Sequence, residues 1–181
     1  MKIEELEISG AWIANSPIIK DNRGHFHEWF KANEIEAATG RKFDVEQANI
    51  STSNKGVLRG IHYSIAALGQ GKWITCISGS IWDVVVDLRP SSSTFKSWVG
   101  FELKADSGDS IFISDGLGHG FMSLENNSTV VYLLTSPYSP SEEFEIYPLD
   151  PDLAISWPLE NPSLSTKDQS APTFSNRKLF Q

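Results

Sequence analysis

Two histidines stand in sequence settings that could support acid–base chemistry. His62 follows Arg59 and Gly60, and His119 lies in the glycine-rich segment 116–120. Histidine ordinarily has a pKa near neutral pH, so it can act there as a general base. Arginine commonly binds phosphate or carboxylate, and the glycines indicate a tight backbone beside each imidazole. His62 is therefore either a general base or a strand histidine hydrogen-bonded to a neighbour.

The spacing of Arg59 and His62 places a condition on any site that uses both. Successive side chains of a regular strand point to opposite faces, so these two would face opposite ways. A shared site requires a bulge near Gly60 or a position at the end of the strand.

Lys72 and Tyr132 are the next candidates for chemistry. Lys72 follows Gly-Gln-Gly at the start of an apolar run. It is either an edge lysine in solvent or a cation directed into a cavity, where it would stabilise a developing oxyanion. Tyr132 lies in a run too apolar for the surface, and a buried tyrosine hydroxyl needs a partner. Core packing is the alternative for Tyr132.

Several other polar residues could line a pocket or face solvent. Gln47, Asn49 and Ser51 share one face of a predicted strand, where a pocket lining and a solvated surface are both open. Arg23 follows a turn. Lys167 and Asp168 lie near the chain end, and the carboxylate could orient a histidine if the tail folds back. Tyr138 lies between prolines and could present its ring for stacking.

The histidine pattern gives little support to a metal site. His25 and His27 have a spacing that fits a metal, but no third ligand is evident and an edge strand is favoured. Gly108 and the run to His119 resemble the second motif of cupins, a jelly-roll family. The first cupin motif is incomplete, because Ser64 stands where its second histidine would be. Such sites commonly need three or four N or O ligands, so no metal is predicted.

Most of the secondary-structure elements that position these residues are predicted to be short strands. β-Branched and aromatic runs alternate with Gly, Ser, Asn and Pro turns, which predicts a jelly-roll β-sandwich or barrel. One helix is predicted at 32–39, ended by Gly40, and a second helical turn could begin at Ser165 with Asp168 as a capping box. The tail after about residue 161 is expected to pack mainly as coil. The predicted strands are 25–30, 45–51, 57–64, 72–78, 81–88, 97–103, 109–114, 119–125 and 129–135.

Composition limits the function classes. The chain has 181 residues, which predicts one domain spanning 1–181. Lys and Arg number 15 and Asp and Glu 23, a net charge of −8. An acidic chain is a poor nucleic-acid binder, although a few local cations suffice for a phosphorylated ligand. Cys76 is the only cysteine, so no intrachain disulfide can form. No signal peptide or 18-residue apolar run is seen, which predicts a cytoplasmic protein without membrane contact.

Taken in order, these residues resemble the dTDP-4-dehydrorhamnose 3,5-epimerase family of nucleotide-sugar enzymes over about residues 5–172. The resemblance implies a cupin-type jelly roll that needs no metal or organic cofactor and is usually a homodimer. It implies a dTDP-linked 4-keto-6-deoxyhexose as substrate and a place in deoxysugar biosynthesis. The matching motifs are residues 21–28, 47–49, 57–63, Lys72, 84–89, 119–121, 131–132 and 164–168.

The resemblance also implies a role for each site residue. His62 would remove a proton beside the ketone, with Asp168 orienting it, Lys72 would stabilise the enolate oxygen, and Tyr132 would return a proton from the opposite face. Tyr138 would stack on thymine. The other substrate-contacting positions would be Arg23, Glu28, Gln47, Asn49, Arg59, His119, Glu143 and Lys167.

Departures from the family pattern keep alternatives open. Ser64 replaces a common glutamine, Leu133 replaces a common lysine, and the segment 116–118 is richer in glycine. Inversion at C-3, at C-5 or at both therefore stays open. Two other classes remain: a metal-dependent cupin oxygenase or isomerase that uses His62 and His119, and a sugar-nucleotide binding module without catalysis.

Overall fold

A computed structural model describes residues 1–67 and 69–178 of the chain. Strands dominate this part, with two short α-helices and one 3-10 turn at Phe174–Asn176. The helices are α1 (Ala32–Thr39) and α2 (Thr166–Gln169). The strands are β1 (Lys2–Glu5), β2 (Ala11–Asn15), β3 (Ile19–Asp21), β4 (Gly24–Phe26), β5 (Gln47–Ser53), β6 (Leu58–Ser64), β7 (Lys72–Ser78), β8 (Ser80–Asp87), β9 (Trp98–Lys104), β10 (Asp109–Ile113), β11 (Leu117–Ser123), β12 (Ser128–Leu134) and β13 (Glu143–Glu145).

The strands form two antiparallel sheets and one separate hairpin. The first sheet has the order β1-β2-β10-β7-β12-β5, and the second has the order β13-β6-β11-β8-β9. The hairpin consists of β3 and β4. Strands that are distant in sequence lie side by side in both sheets, as a jelly roll requires. The predicted all-β jelly-roll fold with one or two short peripheral helices is confirmed.

The predicted strands recur with small shifts at their ends, and strands are missed where tertiary pairing creates them. The predicted strand 25–30 is confined to Gly24–Phe26, and none of the predicted strands corresponds to β1, β2, β3 or β13. β13 has only three residues, and it is a strand because it pairs with β6. Pairing of this kind is a tertiary effect that local β-propensity does not report.

Three apolar clusters hold the sheets together. One lies between the sheets and includes Ile74 of β7, Val85 of β8 and Ile111 of β10. A second lies on the other face of β8, where Val84 and Val86 pack under the C-terminal tail. Because β8 is buried on both faces, its apolar run is nearly continuous. The third cluster lies under α1 and consists of Trp12, Ala14, Ile35, Phe43, Trp73 and Phe112.

The C-terminal tail is anchored against the second sheet, which fixes where its polar residues lie. Leu153 and Phe174 are buried in the second cluster. Complete burial of such a side chain contributes about 1.5–3 kcal/mol. Between these anchors, α2 begins as predicted, because the Ser165 hydroxyl accepts a hydrogen bond from the Asp168 N–H at 3.0 Å. Residues 179–181 of the predicted tail lie outside the described residues.

The end of α1 also follows the sequence prediction. Gly40 has φ +68°, and its N–H donates to the carbonyl of Glu36 at 2.8 Å. Glycine adopts this left-handed conformation without a Cβ penalty. Within residues 1–67 and 69–178, no helix has the length and apolar character needed to cross a membrane.

Candidate active site

A bulge in β6 brings Arg59 and His62 to the same cavity. In the pairing with β11, His119 lies opposite His62 and Phe121 lies opposite Arg59. Between these two pairs the chain advances two residues on β11 but three residues on β6, which is a bulge. Gly60 lies at this irregularity with φ +123°, and a Cβ there would come within 2.5 Å of the Gly120 Cα. Only glycine fits this close approach. The condition that the sequence placed on a shared site is therefore met.

The cavity is lined by most of the residues predicted for the site. Its inner part has a volume of about 150 Å³ and adjoins an outer part of about 240 Å³. His62, Lys72 and Tyr132 line both parts, so the two form one cleft. The inner part also includes Ser51, Arg59, His119, Phe121 and Val130. The outer part also includes Gln47, Asn49, Gln70, Leu134, Tyr138, Glu143, Phe144 and Lys167.

His62 is held by a buried carboxylate from the tail. Its Nε2 lies 2.7 Å from Oδ1 of Asp168, whose side chain is 4% exposed. The Ser165 hydroxyl donates to the other oxygen at 2.8 Å. Burial raises the pKa of Asp168, but the contacts with His62 and Ser165 outweigh it and lower the pKa. The ionised carboxylate therefore fixes Nε2 as the protonated nitrogen and leaves Nδ1 available as a base.

Lys72 is a buried cation that faces the cleft. Desolvation lowers the pKa of its ammonium group, and the negative charges of Glu143 and Asp83 oppose that effect. Gln70 holds Glu143 in place by donating from Nε2 to Oε1 at 2.6 Å. Of the two sequence interpretations, the structure therefore favours the cation directed into a cavity. An ammonium group here could stabilise negative charge that develops on a bound ketone.

Tyr132 belongs to a polar chain along one face of β5 and β12. It lies directly opposite Asn49 in the strand pairing. Burial raises the pKa of its hydroxyl, and a hydrogen bond from Asn49 lowers it. Gln47 Nε2 donates to Asn49 Oδ1 at 2.9 Å, and the Tyr138 N–H donates to Gln47 Oε1 at 2.8 Å. The polar face predicted for the strand is thus a lining of the cleft.

A second histidine–carboxylate pair was missed in the sequence. His119 Nε2 lies 2.8 Å from Oδ2 of Asp83, whose side chain is fully buried. Within the described residues, the other oxygen of Asp83 has no hydrogen-bond partner. The available signal was a carboxylate in the apolar strand β8, because a buried charge needs a partner. Both histidines of the cleft therefore have one ring nitrogen held by a carboxylate.

Arg23 and Glu28 lie outside the cleft of this chain. Arg23 is at the tip of the β3–β4 hairpin, where it forms an ion pair with Asp21. Glu28 pairs with Lys31 at 2.7 Å. The hairpin residues Ile19 and Phe26 are 63% and 61% exposed, which leaves the hairpin almost unpacked.

The HxH pair of the hairpin contacts an acidic side chain. His25 Nε2 lies 3.1 Å from Asp106, and the imidazoles of His25 and His27 stack with centroids 6.1 Å apart. Over residues 1–67 and 69–178, no group of three His, Cys, Asp or Glu side chains is arranged to hold a metal ion.

Comparisons with known proteins agree over nearly the whole chain. A family model described as dTDP-4-dehydrorhamnose 3,5-epimerase matches residues 5–176. A relative of that name from Mycobacterium tuberculosis is 45% identical over 96% of this chain and 88% of its own length. The solved Mycobacterium tuberculosis rmlC epimerase superposes with a TM-score of 0.94 at 44% identity, covering 97% of this chain and 89% of that one.

A third similar protein has a narrower activity. ChmJ, a 3'-monoepimerase from Streptomyces bikiniensis solved in complex with dTDP-quinovose, superposes with a TM-score of 0.90. It is 43% identical and covers 94% of this chain and 86% of its own. Overall identity therefore does not separate an enzyme that inverts one carbon from one that inverts two.

Proposed function

The chain belongs to the dTDP-4-dehydrorhamnose 3,5-epimerase family, and we propose that its cleft inverts a dTDP-linked 4-keto-6-deoxyhexose at C-3, C-5 or both. The enzyme is an isomerase of deoxysugar biosynthesis. The observation that carries the residue roles is the convergence of His62, Lys72 and Tyr132 on one cleft, with Asp168 behind His62. These groups supply a base, an oxyanion partner and an acid.

The first step is proton removal beside the ketone. Nδ1 of His62 takes the proton from carbon, and the C–H electron pair moves through the new C=C bond onto the ketone oxygen. The Lys72 ammonium group faces that enolate oxygen. A positioned base contributes about 10²–10⁴-fold to such a step, and one oxyanion donor contributes about 10²–10³-fold.

The second step delivers a proton to the opposite face. The Tyr132 hydroxyl protonates the same carbon, the enolate electrons return to re-form the ketone, and the configuration is inverted. The enzyme is left with a His62 imidazolium and a Tyr132 phenolate. Because burial raises the pKa of Tyr132, the phenolate readily takes up a proton again. Net exchange with water then restores both groups.

Cations and an exposed aromatic ring fit the rest of a nucleotide sugar. Arg59 lines the inner part of the cleft, and its fork of donors suits a diphosphate. Lys167 lines the outer part, where Glu145 at 2.9 Å raises the pKa of its ammonium group. The ring of Tyr138 is 57% exposed, which suits stacking on thymine. Local charge thus allows an acidic chain to bind an anion.

We also propose that a second copy of the chain supplies Arg23 and Glu28. Two features support an intermolecular docking of the hairpin. It exposes Ile19 and Phe26, and β5 is an edge strand whose outward-facing Ile50 is 74% exposed. An exposed edge is a ready partner for another strand. A homodimer of this kind would complete the predicted set of substrate contacts.

Mixing two defective variants tests this arrangement. Arg23→Ala and His62→Asn should each be inactive as pure dimers. If Arg23 acts in the partner's site, every mixed dimer carries one intact site of its two. In a 1:1 mixture about half of all dimers are mixed, so activity should recover to about one quarter of wild type by symmetry. No recovery in verified mixed dimers would contradict the exchange.

Solvent exchange tests the reaction itself. The protein is incubated with dTDP-4-keto-6-deoxyglucose in D₂O, and deuterium at C-3 and C-5 is read by NMR. Label with inversion at both carbons indicates a 3,5-epimerase, and label at C-3 alone indicates the narrower activity of the 43% identical 3'-monoepimerase. No exchange at either carbon by folded protein would refute the proposal. The relatives support epimerisation and not a metal-dependent cupin reaction, and the cytoplasmic location stays a prediction.

A further inference from the structure

We propose that Gln47 and Asn49 are positioning residues that aim the hydroxyl proton of Tyr132 at the substrate. They do so through one directed chain of hydrogen bonds that starts at the backbone N–H of Tyr138. The inference rests on the proposed function, because Tyr132 has the role of proton donor there. It differs from the role that the family resemblance implies, in which both amides only contact the substrate.

The chain of contacts runs from a loop to the proposed acid. The Tyr138 N–H donates to Gln47 Oε1 at 2.8 Å. Gln47 Nε2 donates to Asn49 Oδ1 at 2.9 Å. Asn49 lies directly opposite Tyr132 in the antiparallel pairing of β5 and β12, so their side chains share one face. All four residues line the outer part of the cleft.

The direction of the chain follows from its first member. A backbone N–H can only donate, so it requires the oxygen of the Gln47 amide. The NH₂ group of Gln47 then faces Asn49 and requires the Asn49 oxygen. What remains for Tyr132 is the NH₂ group of Asn49, which can only donate. The phenol oxygen is therefore the acceptor, and its own proton is free to point into the cleft.

The electrostatics of Tyr132 agree with this direction. A hydrogen bond donated to a phenol oxygen favours the phenolate and lowers the pKa, whereas one accepted from the phenol proton raises it. The contact with Asn49 lowers the pKa of Tyr132 against the effect of burial. Asn49 thus partly offsets burial, which on balance still raises the pKa of the Tyr132 hydroxyl.

Two variants of Gln47 test the direction. In Gln47→Glu, the carboxylate can only accept hydrogen bonds. It still accepts one from the Tyr138 N–H, but it can no longer donate to Asn49, so Asn49 turns its NH₂ group toward the carboxylate. The Asn49 oxygen then faces Tyr132 and draws the proton away from the substrate. Gln47→Met has similar size and no charge, and it leaves the Asn49 amide without a fixed orientation.

We expect inversion to fall at least tenfold in Gln47→Glu and severalfold in Gln47→Met, with KM within a few fold of wild type. Deuterium exchange without inversion should continue in both, because His62 is unaffected and its side chain is 40% exposed to solvent. The measured quantity is the ratio of inversion to exchange in D₂O. Asn54→Asp, an exposed amide-to-carboxylate change just after β5, is the matched control.

Each outcome decides the inference. A lower inversion-to-exchange ratio in both Gln47 variants supports the relay. A wild-type ratio in both overturns it, and a lower ratio in Gln47→Glu alone also overturns it, because a charge effect then explains the loss. If Gln47→Glu does not fold, as judged by thermal unfolding and dTDP binding, Gln47→Met decides. Absence of exchange in the wild-type protein would instead refute the proposed function, which separates the two failures.

Discussion

The contact between Asp168 and His62 predicts the consequence of one substitution in detail. Asp168 accepts two hydrogen bonds, one from His62 at 2.7 Å and one from the Ser165 hydroxyl at 2.8 Å. In Asp168→Asn, the amide has one acceptor oxygen and cannot serve both donors. If Ser165 keeps the oxygen, the NH₂ group faces Nε2 and the ring proton moves to Nδ1. That nitrogen is the proposed base, so it can no longer accept a proton.

The size of the effect follows from the role of the base. A positioned general base contributes about 10²–10⁴-fold, which is about 2.7–5.5 kcal/mol of barrier. We expect kcat to fall by that factor in Asp168→Asn. KM should stay within a few fold, because Asp168 is 4% exposed and lies behind His62 rather than in the cleft. Exchange and inversion should fall together, because both begin with the same proton removal.

The assay compares initial rates with deuterium uptake in D₂O. Asp152→Asn is the matched control, since it makes the same change at an exposed position in the same C-terminal segment. Thermal unfolding and dTDP binding verify that Asp168→Asn is folded. If the folded variant keeps more than about a tenth of the wild-type kcat, less than the general-base contribution has been lost and the reasoning is refuted. Loss of inversion with normal exchange would also contradict it.

Three further predictions concern other groups. Tyr132→Phe should lose inversion while exchange at the substrate carbon continues, and an NMR time course that shows normal inversion would remove Tyr132 as the acid. Lys72→Met should lower exchange and inversion together by about 10²–10³-fold, because both pass through the enolate; wild-type exchange rates would contradict the oxyanion role. Asp87→Asn should cost about 2 kcal/mol of unfolding free energy at pH 7, where urea unfolding measures it. Burial alone raises the pKa of Asp87, but hydrogen bonds from Arg89, Ser92 and Thr94 lower it to about 2. The stabilisation is therefore present above the ordinary carboxyl pKa of 3.8 and should shrink as pH falls from 4 toward 2; an equal cost at pH 7 and pH 3 would count against this assignment.

Local features of the fold could be predicted because they depend on neighbouring residues alone. The end of α1 at Gly40 needs a residue that adopts positive φ, and glycine does so. The cap of α2 needs a hydroxyl three residues before Asp168, and Ser165 supplies it. Strand alternation is a local rule, and it showed that a site shared by Arg59 and His62 needs either a bulge near Gly60 or a position at the strand end. The structure has the bulge.

The chemistry of the candidate site was also visible as residue types. His62, Lys72, Tyr132 and Asp168 are residue types capable of acid–base work, and the family resemblance implied their roles on an anionic substrate. What each of them faces was not visible. The sequence was also consistent with Lys72 as an edge lysine in solvent. Only the packing shows that it is buried beside Glu143 and Asp83. Burial depends on how the sheets pack together, and the sequence around one residue describes only one of the packed surfaces.

By itself, the sequence determined the β-rich fold class, the local turns and caps, and the residue types available for catalysis. Only the tertiary structure decided which of them meet. Asp168 reaches His62 across 106 residues because the tail packs on the second sheet, and Asp83 meets His119 because β8 and β11 are adjacent. The structure also leaves Arg23 on an exposed hairpin. Strand register and long-range packing set these distances, and neither is encoded in the spacing of residues along the chain.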